Sequence, residues 1–311
     1  DTPLVLTSAD GNDSKELIIR NYPGEKAIIS SGITLDLKWE KYKNGIMRAA
    51  VKGNPVMDML IVNGDLRSMA RYPDYDKTAV RFNGTSALAT APERVKKWKN
   101  PEGGYFHAMH SHDWGDFHYR ITGKNEKGEL QLEGGWQNNH PMGIHPENRM
   151  VENIFEELDA PGEWYYDKQE GWLYYYPLSD ENINELVFET PQLKNLIEIA
   201  GTSSHPVKNI TIEGIELTQT IRTFMEHYEP LLRSDWTIYR GGAVIFRGTE
   251  KCTLRDCYIH HVGGNGVFFD KYNRNSAVTG SYLTSIGASA ICFVGDVAGV
   301  RSPSFRYGEF V

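Results

Sequence analysis

The chain has 311 residues, room for about two domains and a well-buried core. Lys and Arg number 33 against 41 Asp and Glu, a formal net charge of −8. A chain of that sign lacks the cations that would neutralise nucleic-acid phosphates or an anionic bilayer. No run of about 18 apolar residues occurs, so no helical membrane span is expected, and no signal-peptide pattern lies within the chain.

The three cysteines, Cys252, Cys257 and Cys292, are an odd, sparse set in apolar strand-like runs. They give neither a disulfide framework nor a zinc spacing and read as buried free thiols. Seventeen Tyr and seven Trp serve either core and hairpin packing or the stacking of sugar rings. The chain opens at Asp1 directly in a strand-like segment, without Met, and stops abruptly at Tyr307-Gly308-Glu309-Phe310-Val311. We therefore expect further residues beyond it.

Helical periodicity is nearly absent, and Pro, Gly, Asn and Asp punctuate the chain at short intervals, as in all-β proteins. Over residues 1–35, the three-residue apolar runs Leu4-Val5-Leu6, Leu17-Ile18-Ile19 and Ala27-Ile28-Ile29 are separated by polar corners, which suits the short strands of a solenoid. Over 36–190 the strand candidates lengthen and alternate, at 59–63, 117–121 and 129–132. Residues 163–177 read as a hairpin with aromatic strands and a polar turn ending in Gly171. A short helix is expected near 91–97, with Pro92 in its first turn. This middle stretch predicts an antiparallel sandwich.

From residue 191 the solenoid pattern returns with a measurable register. Ile210-Thr211-Ile212-Glu213-Gly214-Ile215-Glu216-Leu217 matches Cys252-Thr253-Leu254-Arg255-Asp256-Cys257-Tyr258-Ile259, which matches Ser276-Ala277-Val278-Thr279-Gly280-Ser281-Tyr282-Leu283. The last two copies are 24 residues apart, one coil. The match extends from Val262-Gly263-Gly264-Asn265-Gly266-Val267-Phe268-Phe269 to Ile286-Gly287-Ala288-Ser289-Ala290-Ile291-Cys292-Phe293. The first two copies are 42 apart, and the extra length is assigned to 223–236, where Met225, Tyr228 and Leu232 would line one face of a short helix. The chain thus reads as all-β: a right-handed parallel β-helix interrupted by an inserted antiparallel β-sandwich. The coils occupy 1–35 and 191–311, and the sandwich 36–190.

The sequence resembles bacterial parallel β-helix glycoside hydrolases, most like glycoside hydrolase family 141 and more distantly family 120. The carriers are Tyr22-Pro23-Gly24-Glu25-Lys26, Val62-Asn63-Gly64-Asp65-Leu66 with Ala70-Arg71-Tyr72-Pro73, and Phe106-His107-Ala108-Met109-His110 with Trp114-Gly115-Asp116-Phe117-His118-Tyr119. The last are Ile291-Cys292-Phe293-Val294-Gly295-Asp296 with Val300-Arg301-Ser302-Pro303. The resemblance implies a secreted or periplasmic glycosidase acting on plant cell-wall glycan, of the α-L-fucosidase or xylan-cleaving type. Family members continue well past the end of this chain, and family 141's strongest acidic motifs lie in those coils.

Glycoside hydrolysis requires two carboxyl groups, about 5–5.5 Å apart for retention and about 6.5–9.5 Å for inversion. Outward residues on adjacent coils stand about 4.8 Å apart, so acids one coil apart can serve one sugar. Asp270 and Asp296, 26 residues apart, are the candidates. Alternation puts Val267 and Phe269 inward and Asp270 outward, and Asp296 lies just beyond its strand. Both also fit turn or cap positions, and the resemblance to family 120, in which a catalytic Asp occupies a similar coil, favours Asp296. His260 and His261 either form a polar corner or bind ligand near Asp270, and Asn265, aligned with Ser289, either makes an internal amide bond or touches sugar.

In the sandwich, His107, His110, His112, Asp113, Asp116 and His118 cluster. They match no metal spacing. They read instead as a polar loop over the β-helix cleft, with His110 at the sugar and Trp114 and Tyr119 as aromatic walls. Asn138-Asn139-His140-Pro141 and His145-Pro146 are expected as loops on the same rim. No nucleophile elbow or phosphate loop occurs, and no cofactor is expected. The reading is a glycosidase with a glycan substrate. The alternatives are a polysaccharide lyase on the same fold, which would call for Ca2+ and cationic side chains at a uronate, and a non-catalytic glycan-binding solenoid.

Overall fold

The computed structural model describes residues 2–138, 142–230 and 237–296. The fold is all-β. Three parallel sheets make the faces of a β-helix. The first holds Leu4–Thr7, Ile197–Ala200, Val244–Glu250, Val267–Arg274 and Ile291–Val294. The second holds Leu17–Arg20, Ile210–Glu213, Thr253–Arg255 and Ala277–Thr279, and the third Ala27–Ser30, Ile215–Thr220, Tyr258–Val262 and Tyr282–Leu283.

The repeat read from the sequence is the observed register. Ile212 pairs Leu254 and Leu254 pairs Val278. Leu217 pairs Ile259 and Ile259 pairs Leu283, while Phe246, Phe269 and Phe293 form one column. These columns make one apolar core, including Ile199, Ile212, Leu217, Leu254 and Phe269. The Gly-or-Asp position of the repeat is the coil corner: Gly214, Asp256 and Gly280 have φ of +66°, +52° and +62°, the left-handed conformation that Gly adopts freely and Asp tolerates.

The chain leaves the β-helix and returns to it on adjacent strands, since Gly32–Thr34 pairs antiparallel with Phe188–Pro191. These two strands share one four-stranded antiparallel sheet, and the chain between them adds a second four-stranded sheet and a five-stranded one, the latter ordered Leu130–Gly134, Asp116–Lys124, Tyr105–His110, Ile144–Glu152, Arg71–Tyr72. The aromatic hairpin forms as expected, Trp164–Asp167 against Trp172–Tyr175, with Gly171 at φ +72°. The short helix is Pro92–Val95, with Pro92 at its first position. Trp164, Tyr175 and Phe188 fill one core of the insertion, and Trp98, Phe106 and Ile121 another.

Two expectations are corrected. No helix forms in the described part of 223–236. Its residues run through turns into Glu229–Pro230, which pairs with Thr237–Ile238, and residues 231–236, with Leu232, lie outside the described residues. His145-Pro146 is not a loop but belongs to the strand Ile144–Glu152, whose ladder with Tyr105–His110 extends the sheet there. No helix among the described residues is long and apolar enough to cross a membrane.

Candidate functional site

Two cavities lie where the β-helix meets the insertion. The larger, of about 1310 Å3, is walled by the five-stranded sheet on one side and by coil corners on the other, including Val262, Gly263 and residues 285–289. The smaller, of about 640 Å3, adjoins it, since Met59, Leu66, Arg222 and Ser285 line both. The larger volume is ample for an oligosaccharide.

Alternation along Tyr105–His110 and Asp116–Lys124 sends Phe106, Ala108 and Ile121 into the core and leaves His107, Asp116 and His118 on the cavity face. His107 and His118 are direct cross-strand partners, with Nδ1 atoms 2.7 Å apart. Outward from them, His118 Nε2 stands 3.4 Å from Asp116 and His107 Nε2 3.3 Å from Glu152. The His107–Glu152 contact is poorly aligned for a hydrogen bond and is electrostatic in character. Burial pushes His107 down from its ordinary value. Burial alone would raise the Asp116 carboxyl, but the contact with His118 outweighs it and holds Asp116 below the usual carboxylate range.

Glu152 continues the chain of charges into the junction. Its carboxylate takes Arg222 Nη1, and Arg222 reaches Asp58 with Nε at 3.0 Å and its backbone N–H at 2.7 Å. Burial works against the charge on Glu152, but Arg222 and His107 hold it well below the usual range. Arg222 follows a β-helix strand, whereas Asp58 and Glu152 belong to the insertion, so this cluster ties the two parts together.

Glu163, in the smaller cavity, is in the opposite state. It is 3% exposed. It accepts backbone N–H groups from Arg71, Asp159 and Ala160, each at 3.3 Å. The Arg71 guanidinium turns away to the carbonyls of Pro73, Phe82 and Gly84. Burial pushes Glu163 up to about 8, against the Ala160 and Asp159 N–H groups and with help from Asp74 and Asp159.

Trp114 is 54% exposed, lines the larger cavity and stacks on His110 at 5.6 Å. Asp113 and Asn138 line the same cavity, and Asp113 is held by Arg81 and Asn148. Asn139, His140 and Pro141 lie outside the described residues. His110 is buried behind Trp114 and is not a lining residue. Tyr119 is not an aromatic wall: it faces the sheet's core side, stacked on Phe106 at 5.7 Å, because it alternates with His118.

On the β-helix, Asp270 faces outward as the alternation predicts, yet it is closed off. It is 2% exposed and bound by Arg240 and Arg247, each at 2.6 Å. It lines neither cavity. Asp296 is exposed just past Ile291–Val294 and lines neither cavity. Asn265 spends its amide on the coils, donating to Tyr239 and Gly241 and accepting from Ser289 N–H. His260 lies on the outer face between Tyr258 and Glu216. His261, at a left-handed corner (φ +49°), lines the smaller cavity, and neither histidine is bonded to Asp270.

The residues not foreseen in the sequence are Phe82, Gln137, Glu152, Glu163, Arg222 and Phe224. Gln137 accepts His118 N–H and donates to Phe224 O. The only available signal was the extra length at 223–236, which marked an insertion without showing its contacts. Among the described residues no three His, Cys, Asp or Glu side chains form a group that could hold a metal ion.

No protein-family model matches the chain, and no curated protein matches it. Among solved structures, a glycoside hydrolase aligns with a TM-score of 0.71 at 19% identity, over 90% of this chain and 56% of that protein. The chain thus spans little more than half of its structural neighbour, and the likeness establishes the fold. A complex of XylC with xylose aligns at a TM-score of 0.38 and 11% identity, over 83% of this chain and 33% of that one, too low to bear on the fold.

Proposed function

We propose that this chain is part of a glycoside hydrolase and that the larger cavity receives the sugar. The observation that carries the reading is the pairing, in one cavity wall, of aromatic surfaces with carboxylates: Trp114, Phe82, Phe224 and Tyr228 beside Asp113 and Asp116. Aromatic faces take the apolar side of a pyranose and carboxylates its hydroxyls. The glycoside hydrolase of similar fold supports the same reading. So does the resemblance to family 141, which points to plant cell-wall glycans of the α-L-fucosyl or xylan type.

Glycosidases work with carboxyl groups whose surroundings push them apart. Asp116, kept ionised by His118, suits the base or nucleophile. Glu163, kept protonated in the adjoining cavity, is the described carboxyl suited to donate a proton. Asp296 is retained as a candidate on the β-helix. Asp270 is assigned to its ion pairs.

The test is hydrolysis of a glycan panel by the full-length protein, including α-L-fucosides, xylo-oligosaccharides and polygalacturonate, with Asp116→Asn, Trp114→Ala, Glu163→Gln and Asp296→Asn alongside. Asp116→Asn should lower kcat by about 10²–10⁴-fold, and Trp114→Ala should act mainly on KM. Unchanged turnover in Asp296→Asn removes that residue from the mechanism. A product absorbing in the ultraviolet would mean a lyase, and binding without turnover a glycan-binding module.

A further inference from the structure

The contact between His107 and His118 fixes how many protons the two rings carry. Their Nδ1 atoms are 2.7 Å apart. Two lone pairs cannot face each other at that distance, and two N–H groups would collide, so one proton lies between them. Each outer nitrogen faces a carboxylate, Asp116 at 3.4 Å and Glu152 at 3.3 Å. Each of these contacts, the poorly aligned one to Glu152 included, is electrostatically attractive only when the nitrogen carries a proton, so both Nε2 atoms are N–H groups. Three protons on four nitrogens make the pair a monocation.

We propose that His107 and His118 share one proton between their Nδ1 atoms and act as a single cation that positions the ionised Asp116 in the cavity wall.

The surroundings fit this count. Asp116, on the strand of His118, and Glu152, on the strand beyond His107, are the two anions that face the pair. Behind Glu152 stand Arg222 and Asp58, already paired with each other at 2.9 Å. The phenol of Tyr228 faces Asp116, and the Tyr105 ring lies 6.2 Å from His107. The remaining neighbours are Gln137, whose Oε1 accepts the His118 backbone N–H at 3.1 Å, and two apolar rings, Phe224, 5.2 Å from both imidazoles, and Phe82, about 6 Å away. These rings cover the imidazoles, whose side chains are 7% and 12% exposed, while the Asp116 side chain stays 42% exposed to the cavity. His118 touches Asp116, whereas His107 does not and is a positioning residue. That both serve a reaction rests on the glycosidase reading. The proton count does not.

The experiment is NMR of the whole protein with ring-15N histidine and carboxyl-13C aspartate. One N–H proton should appear far downfield and vanish in both His107→Gln and His118→Gln. In His107→Gln the Asp116 carboxyl should bind its proton about tenfold more tightly, with its titration midpoint about one pH unit higher. A merely structural role for His107 would lower stability and leave that midpoint in place. Two wild-type histidines titrating independently, with no downfield proton, would overturn the proposal, as would an unmoved Asp116. If His107→Gln does not fold, the wild-type spectrum decides. A downfield proton in a protein that hydrolyses no glycan supports the shared proton and removes the glycosidase reading. In an active protein, His107→Gln should also shift the acid limb of kcat/KM upward by about one pH unit.

Discussion

Phe269 and Phe293 stack face to face, with ring centroids 4.3 Å apart and planes 5° apart, yet one is 2% exposed and the other 69%. They are successive members of one column. Phe269 has Phe246 at 4.5 Å on its other face, whereas Phe293 lies on the last described coil. Stacking alone therefore does not set their worth; burial does. Phe269→Ala should cost about 3–5 kcal/mol, and Phe293→Ala in this chain on the order of 1 kcal/mol. Equilibrium denaturation of the two variants checks this. Equal losses would show that Phe293 is covered in solution.

Asp270 tests the difference between an outward acid and an available one. Its carboxylate is held by two guanidinium groups. Removing its charge leaves Arg240 with Glu229, and leaves Arg247, whose side chain is 40% exposed, with water. Asp270→Asn should therefore cost about 1–3 kcal/mol of stability, while turnover by the folded fraction stays within about twofold. Paired thermal unfolding and activity measurements separate the effects. A folded, stable Asp270→Asn protein without activity would return Asp270 to the mechanism.

What the sequence revealed follows from how each feature is encoded. The coil repeat from Ile210 through Leu283 was legible because stacking forces inward positions into a constant offset, and chain connectivity preserves that offset in the sequence. The face of an antiparallel strand was less legible. The strand around 117–121 was found, but alternation cannot say which face meets the core, so Tyr119 was placed on the cavity together with its strand neighbour His118, although the two must point to opposite faces. Long-range contacts left no local trace: Glu152 meets Arg222 across 70 residues, and Gln137 meets Phe224 across 87. Outward direction was read correctly for Asp270, but its cover comes from Arg240 and Arg247, whose role no periodicity discloses.

The charges around the cavities bear on substrate choice. Arg222 is committed to Asp58 and Glu152, Arg67 to Glu181, and Arg71 to three backbone carbonyls. Asp65, Asp74, Asp113 and Asp116 face the two spaces as well. Among the described residues no arginine lining the two spaces is spare, so a uronate would meet like charge, a juxtaposition that costs several kcal/mol in binding. Neutral xylo- or fuco-oligosaccharides should therefore bind at least about tenfold more tightly than polygalacturonate fragments of the same length, an advantage that shrinks at high salt. Titration calorimetry at two ionic strengths measures both. Tighter binding of the uronate would exclude the neutral-glycan reading and favour the lyase.

Glu163 should leave a signature on stability as a function of pH. Its folded value is pushed up to about 8, whereas an unfolded Glu titrates near 4.3. Between those values the folded protein holds a proton that the unfolded chain has lost. The stability this group contributes is full below the unfolded value and falls as pH rises, levelling off above about 8. Glu152 has the opposite sign: its folded carboxyl is held down, so its contribution is present above the unfolded value and is lost on acidification. Glu163→Gln should flatten the decline between roughly pH 5 and 8, with a differential gain on the order of 3 kcal/mol across that window. The constant cost of facing an amide to the Arg71 N–H does not alter the slope. Denaturant unfolding of both proteins at several pH values measures the slopes directly. Parallel curves would mean that Glu163 is ionised in the folded protein, and it would then no longer be a proton donor.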